Sequence, residues 1–279
     1  MADDKQIICP CCLGTSFAEL FHYAAPPTGE IRYAGIDPSN YDRAFESCLN
    51  CGHCLARNFM DLSGLYSGDY VTSTYGESGI RAAFDRITAL DPTRSDNVGR
   101  AKRVDGFLRK YLMMPNNSQR QPVVLDVGSG LGVFVHRMKE SGWACVALDP
   151  DPRAVEHAQT HIGVTAVCND FMRSELSQQF DLVTFNKVLE HVPDPVAMLK
   201  KACTNVAARG LIYVEVPDAE AAARAGAGRE EFFIEHLHVF SAASLVMLGR
   251  RSGLEVIGLE RLQEPSSKFT LYAFFKLIQ

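Results

Sequence analysis

Leu125-Asp126-Val127-Gly128-Ser129-Gly130-Leu131-Gly132 joins a short apolar run to the helical pattern of residues 132–140. An acid and three alternating glycines stand at the join. Glycine lets the backbone come close to a ligand where any Cβ would clash, so the stretch reads as a strand-to-helix turn that cradles a small molecule. The spacing narrows the ligand. A dinucleotide-binding turn, G-x-G-x-x-G, needs its third glycine at position 133, which is Val133. A G-x-x-x-x-G-K phosphate loop is absent as well.

Outward from this turn, short apolar runs alternate with helical stretches. Residues 123–127, 145–148, 165–168, 182–185, 211–216, 255–259 and 269–277 read as strands. Residues 132–140, 152–161, 196–206 and a helix capped by Ser241 and closed by Gly253 read as helices. Such alternation predicts an α/β fold: a Rossmann-like, seven-stranded, mostly parallel sheet with helices on both faces. Ahead of it, Ile80, Ala83, Phe84 and Ile87, then Val104, Phe107, Leu108, Tyr111 and Leu112, recur at helical spacing. Residues 76–121 carry nine basic and five acidic residues, with Arg100, Lys102, Arg103, Arg109 and Lys110 clustered. They read as the solvated face of two amphipathic helices or as a helical cover that attracts an anionic substrate. Asn116-Asn117-Ser118-Gln119 is a polar linker.

Several motifs in this order resemble the class I S-adenosylmethionine-dependent methyltransferases, over residues 76–279. Asp126, Gly128, Gly130 and Gly132 match the motif around the methionine part of the cofactor. Asp149 ends the second strand and matches the acid that accepts hydrogen bonds from both ribose hydroxyls; taken alone it also reads as a helix N-cap. Asp170 and Phe171 match the adenine contacts. The run from Phe180 to Asn186, followed by Val188-Leu189-Glu190-His191-Val192, matches the fourth-strand signature, which adds Asn186 to the implied cofactor residues.

Six of the nine cysteines lie in the first 54 residues. Cys9 and Cys12 form one C-x2-C knuckle, and Cys48 and Cys51 a second. Two such turns complete a tetrahedron of thiolates around zinc, with no open position for chemistry. Cys11, His53 and Cys54 are surplus ligands. Residues 1–75 hold four basic and nine acidic residues, with turn signals at Pro26-Pro27-Thr28-Gly29 and Asp37-Pro38. They predict a small, loop-rich zinc-binding module whose metal replaces a core it cannot build unaided. Cys145, Cys168 and Cys203 read as small buried hydrophobes.

The whole chain is 279 residues with a net charge of −5, which gives no general attraction to nucleic acid or membrane. No apolar run approaches the roughly 18 residues a span needs, and the acidic start at residues 1–5 lacks a signal-peptide pattern. A soluble, cytoplasmic protein is expected.

On the acceptor side a base is needed for a hydroxyl or carbon acid. His136, His157 and His161 fall on helices facing away from the strand tips. His191 and the run Glu231-Phe232-Phe233-Ile234-Glu235-His236-Leu237-His238 remain. A two-knuckle zinc module before this core, with Glu-His ahead of Phe-Ser, is similar to the sugar C-methyltransferases and related enzymes acting on nucleotide-linked sugars. That family reads Tyr-His-Glu-His, so the resemblance implies His236 as base and Glu235 as its neighbour, with His191 and His238 as alternatives. Phe233 and Ile234 depart from the pattern, which leaves O-methylation of a sugar or similar hydroxylated metabolite beside C-methylation. A second reading makes the zinc module a recruiter of a macromolecular acceptor, RNA or a carrier protein; its acidic balance argues against RNA.

Overall fold

The computed structural model describes residues 7–33, 36–60, 79–112 and 121–278. The acidic start, the module boundary at residue 75 and the linker at 116–119 lie outside them. In chain order the elements are β1 (Phe17–Tyr23), β2 (Arg43–Cys48), β3 (Cys54–Asn58), α1 (Gly79–Thr88), α2 (Asp96–Tyr111), β4 (Val123–Val127), α3 (Val133–Glu140), β5 (Ala144–Asp149) and α4 (Pro152–His157). There follow β6 (Thr165–Cys168), β7 (Phe180–Asn186), α5 (Pro195–Cys203), β8 (Val206–Pro217), α6 (Ala219–Ala225), β9 (His238–Val239), α7 (Ala242–Arg251), β10 (Leu254–Gln263) and β11 (Phe269–Leu277).

The large sheet has the order β10-β11-β8-β7-β4-β5-β6. Its strands from β8 to β6 run parallel, and β11 lies antiparallel between β8 and β10. Strands buried on both faces must be apolar on both. Leu125, Val183 and Ile212 join α5 and α7 (Leu199, Leu245, Leu248) in one core. Val124, Leu182 and Leu211 turn to the other face against Phe84, Val104, Leu108 and Val135 from α1, α2 and α3. The period of two along each strand therefore splits the interior into two layers. β4 sits between β5 and β7, where the winding reverses, and such a switch point opens a crevice at the carboxyl ends of the strands.

The sequence leaves residues 1–75 as loops, yet β1, β2 and β3 stand there, and β9 completes a four-stranded sheet with them. The alternation is hidden because the β1–β2 register shifts between Glu19 and Phe21, and a bulge moves side chains to the other face. This sheet is not separate from the rest: Tyr23, Tyr41 and Phe45 pack with Ala222, Phe232, Ile234 and Val239 in one cluster.

Two smaller expectations also shift. The helix read over 196–206 ends at Cys203, and β8 already begins at Val206. Of the three single cysteines, Cys145 is buried, Cys203 half-buried and Cys168 exposed, because β6 is an edge strand.

Candidate active site

The turn after β4 is built from backbone. Gly128, Gly130 and Gly132 have φ of 69°, 49° and 71°. A Cβ at Gly128 would stand 2.8 Å from Val188 Cγ2, and one at Gly132 would collide with Ile162 Cδ1. The first and third glycines thus answer to backbone conformation and to neighbours within the fold, besides leaving room for a ligand.

Asp149 lies at the end of β5 and receives the turn: Gly130 N–H donates to Oδ2 at 2.8 Å, and Asp151 N–H to Oδ1 at 2.9 Å. Burial pushes its pKa up against those two bonds. The helix N-cap it resembles is Asp151, whose carboxylate accepts from Arg153 N–H. Asp126 is buried and faces β7, accepting from Thr184 Oγ1 at 2.6 Å and Asn186 Nδ2 at 2.7 Å. Burial raises it to about 6, against the two hydrogen bonds. Asp126 therefore ties two strand tips together. The Asn186 Oδ1 and Ser129 Oγ atoms beside it are buried with no hydrogen-bond partner. Orphaned buried polar atoms at a strand-tip crevice suit a polar ligand. Asp170 is exposed and caps a short turn through Met172 N–H, while Phe171 is buried edge-on to Phe185, ring centres 5.8 Å apart.

Across the crevice, the turn after β7 meets the segment before β9. His191 Nδ1 donates to the Glu235 carbonyl at 2.9 Å, and His236 Nδ1 donates to the Glu231 carbonyl at 2.8 Å. A carbonyl only accepts, so both rings carry their proton on Nδ1 and their basic lone pair on Nε2. Burial lowers the pKa of both, keeping them neutral. The two rings lie 4.9 Å apart. Glu231 is itself fixed, by a paired bond from Arg229 and by Phe269 N–H at 2.6 Å.

Glu190 completes the group, and the sequence reading passed over it. Its side chain is fully buried, neither carboxylate oxygen has a partner, and burial raises its pKa to about 7 against the pull of Lys187. Glu190, His191 and His236 each place a ligand atom within 4.8 Å of the others, close enough to share one proton relay or one cation. The signal in the sequence was an acid before a histidine at a strand tip. Glu235, by contrast, meets this group through its backbone carbonyl, while its buried Oε2 has no partner.

His238 lies away from the group. It is buried against the first sheet, with Nε2 3.0 Å from the Val192 carbonyl and Nδ1 3.0 Å from His53 Nε2. Burial lowers His53 to about 3 and His238 to about 4, so both rings are neutral. The sulfurs of Cys9, Cys12, Cys48 and Cys51 lie within 4.8 Å of one another, with Cys9–Cys51 at 3.6 Å and Cys12–Cys48 at 3.5 Å. A tetrahedron with Zn–S bonds of about 2.3 Å has sulfur–sulfur edges of about 3.8 Å, so the four fit a zinc ion. Hydrogen bonding to Cys9 raises the Cys11 thiol, holding it in its protonated form beside the set. Burial pushes Cys54 up to about 12.

The basic stretch on α2 turns largely inward. Arg100 pairs with both oxygens of buried Glu215, Arg103 bridges Glu215 and Glu264, and Arg109 binds Asp105. Burial alone would raise Glu215, but Arg100, Lys187 and Arg103 outweigh it and hold it at about 2. Lys102 and Lys110 alone of the five stay exposed.

A family model described as a methyltransferase domain matches residues 99–259. The chain belongs to that family. Its methyltransferase domain is similar to the ubiquinone biosynthesis O-methyltransferase of Vibrio vulnificus, 27% identical over 141 residues, or 48% of this chain and 54% of that one. The protein of the same description from Nitrosospira multiformis is 34% identical over 94 residues, covering 31% and 39%. The chain thus spans about half the length, or less, of these relatives. Among solved structures, the 1,6-didemethyltoxoflavin-N1-methyltransferase of Burkholderia thailandensis, crystallised with 1,6-didemethyltoxoflavin and S-adenosylhomocysteine, superposes with a TM-score of 0.56. It is 17% identical and covers 90% of this chain and 100% of its own, a likeness of fold. Among the described residues no helix is long and apolar enough to cross a membrane.

Proposed function

We propose that this protein transfers a methyl group from S-adenosylmethionine to a hydroxyl of a small acceptor, with His236 as the base. The observation that carries this is the neutral imidazole of His236: the Glu231 carbonyl fixes its Nδ1 proton, so the ring offers a basic Nε2, with the His191 ring 4.9 Å away. The cofactor would rest on the turn 128–132, with Asp149 accepting from its ribose hydroxyls, Asp170 and Phe171 near its adenine, and the orphaned Asn186 Oδ1 taking a donor. When bound, it supplies an electrophilic methyl group that needs little further activation. The chain's own work is to hold the acceptor in line, for which orientation can supply roughly 7–11 kcal/mol of the barrier, and to take its proton at His236 Nε2. Glu190 then offsets the charge of the imidazolium.

The relatives are O-methyltransferases by name. Phe233 and Ile234 supply no polar contact for a keto-sugar. Both points favour oxygen over carbon as the methylated atom, on a sugar, nucleotide-linked sugar or other hydroxylated metabolite. The four thiolates of Cys9, Cys12, Cys48 and Cys51 would hold a structural zinc. Because the first sheet is completed by β9, which follows the His236 loop directly, it serves as a wall of the acceptor cleft, which argues for a small acceptor over a recruited macromolecule.

Calorimetric titration with S-adenosylhomocysteine tests the cofactor half: heat of binding is expected, lost in Asp149→Ala, and no heat from the intact protein would sink the proposal. A panel of hydroxylated acceptors, read by S-adenosylhomocysteine release, tests the rest. His236→Ala is expected to lower turnover by about 10² or more with cofactor affinity unchanged. A second reading, a divalent cation on Glu190, His191 and His236, is favoured by the unpartnered carboxylate and by the Nδ1–H bonds to carbonyls, an arrangement that orients metal-bound histidines. Turnover that falls on chelation and returns with magnesium or manganese would select it.

A further inference from the structure

The second cysteine knuckle is wired into the candidate acceptor site. Ser241 Oγ donates to the Cys51 carbonyl. β3 pairs with β9 through Cys54–Val239 and Leu55–His238, and Ala56 N–H donates to the Leu237 carbonyl at 3.0 Å. Leu237 N–H in turn donates to the Glu190 carbonyl at 2.7 Å. His53 lies between the knuckle and this segment, fully buried, its ring 4.8 Å from Phe240 and 5.2 Å from His238.

The protons on these rings have one direction. Val192 offers a carbonyl, which only accepts, so His238 donates from Nε2. A neutral His238 then accepts at Nδ1, and His53 must donate to it from Nε2. Two donations thus run from the knuckle into the turn that carries Glu190 and His191. All three residues of that turn are held from residues 235–238: the Glu190 carbonyl by Leu237 N–H, the His191 ring by the Glu235 carbonyl, the Val192 carbonyl by His238. The ring of His53 touches none of the reacting groups.

We propose that His53 is a positioning residue of the acceptor site, acting through His238 to set the Glu190–Val192 turn against His236. This rests on reading Glu190, His191 and His236 as the acceptor wall. It gives the N-terminal sheet a second task besides packing: the knuckle's geometry fixes where two candidate catalytic groups stand. Without the His53 donor, His238 Nδ1 is a buried acceptor with no partner, and the ring must turn or admit water to satisfy it, which loosens its hold on the Val192 carbonyl.

The test uses the full chain with its zinc and needs no acceptor. His53→Phe keeps the ring packing and removes the donor; His53→Gln keeps an amide N–H at similar reach. Hydrogen exchange is followed in peptides covering residues 186–193 and 230–238, with zinc content and S-adenosylhomocysteine affinity measured alongside. In His53→Phe both peptides are expected to exchange about tenfold faster, while zinc and cofactor affinity hold and β4 and β5 stay protected. His53→Gln is expected to restore most of the protection, and ¹⁵N-histidine spectra should show His191 moved in the Phe variant and returned in the Gln variant. Unchanged exchange in 186–193, or Gln as loose as Phe, overturns the inference. Should His53→Phe lose zinc, His238→Asn is read instead: it can still meet His53 but cannot reach Val192, and unchanged exchange there overturns the inference too. Normal turnover in His236→Ala would refute the acceptor-wall reading without altering these exchange rates, so the two failures are separable.

Discussion

The two walls of the crevice are made by opposite means. The proposed cofactor side is written almost continuously: five residues from Gly128 to Gly132, then Asp149 at the end of the next strand, with backbone N–H groups supplying much of the hold. The proposed acceptor side is assembled from Glu30, residues 43–58, 187–193 and 229–241, which meet only in the folded protein. The first is set largely by one local stretch of backbone. The second depends on long-range packing, so it should be the one that fails when the N-terminal sheet is disturbed.

The largest expected effect tests that dependence. Cys51→Ser removes one thiolate of the four and is expected to reduce zinc from one per chain to none by elemental analysis. Because unliganded structural zinc sites lose their folding energy, limited proteolysis should then cut within residues 7–60. S-adenosylhomocysteine binding, on the other wall, should survive. Loss of cofactor binding in the same variant would break the comparison, since it would make the two walls one cooperative unit.

Next comes the buried charge group under α2. Glu215 is fully buried between Arg100, Arg103 and Tyr213, which donates to it at 2.8 Å. Glu215→Ala strands the Arg100 guanidinium and leaves Arg103 with Glu264 alone, and breaking such a buried pair costs about 3–5 kcal/mol. Urea unfolding should show that loss in full. A change below about 1 kcal/mol would mean that water reaches Arg100.

How much of this was open to reading follows the same division. The turn and Asp149 could be named because a short motif encodes a backbone shape directly. Even there, the motif did not disclose that Asp126 ties β4 to β7 through Thr184 and Asn186, or that Asp151 and not Asp149 caps the helix. The cysteine set was legible because two-residue spacing is itself a geometric statement. On the acceptor wall the sequence offered histidines without saying which of them meet. It grouped His238 with His236, although one meets His53 and the other meets His191. It missed Glu190, since burial without a partner is a property of the assembled turn. It also missed β1, where a bulge erases the alternation that would announce a strand.

Glu190 gives a pH-dependent prediction. Its pKa is raised from an ordinary carboxylate value to about 7 in the folded chain. Between those two values the native state binds more protons than the unfolded one, so stability falls as pH rises through about 4.5 to 7. Glu190→Gln removes that term. It should leave stability near pH 4 unchanged and raise it by about 1–3 kcal/mol at pH 8, while turnover falls. Equal gain at both pH values would show that Glu190 does not titrate across this range in the folded chain.

The smallest effect separates conformation from contact on the cofactor wall. Gly132 and Gly142 both have positive φ, 71° and 87°. An added Cβ at Gly142 meets nothing within 4 Å, whereas at Gly132 it meets Ile162 Cδ1. Alanine at either should cost about 1 kcal/mol for the left-handed backbone. Only Gly132→Ala must also shift a buried Ile162 methyl, adding up to about 1 kcal/mol more. Because its turn also carries Gly130 N–H toward Asp149, Gly132→Ala should weaken S-adenosylhomocysteine binding several-fold, and Gly142→Ala should leave it alone. If both bind equally well, the turn bends around a side chain without cost to the cradle, and the cofactor wall is softer than its hydrogen bonds suggest.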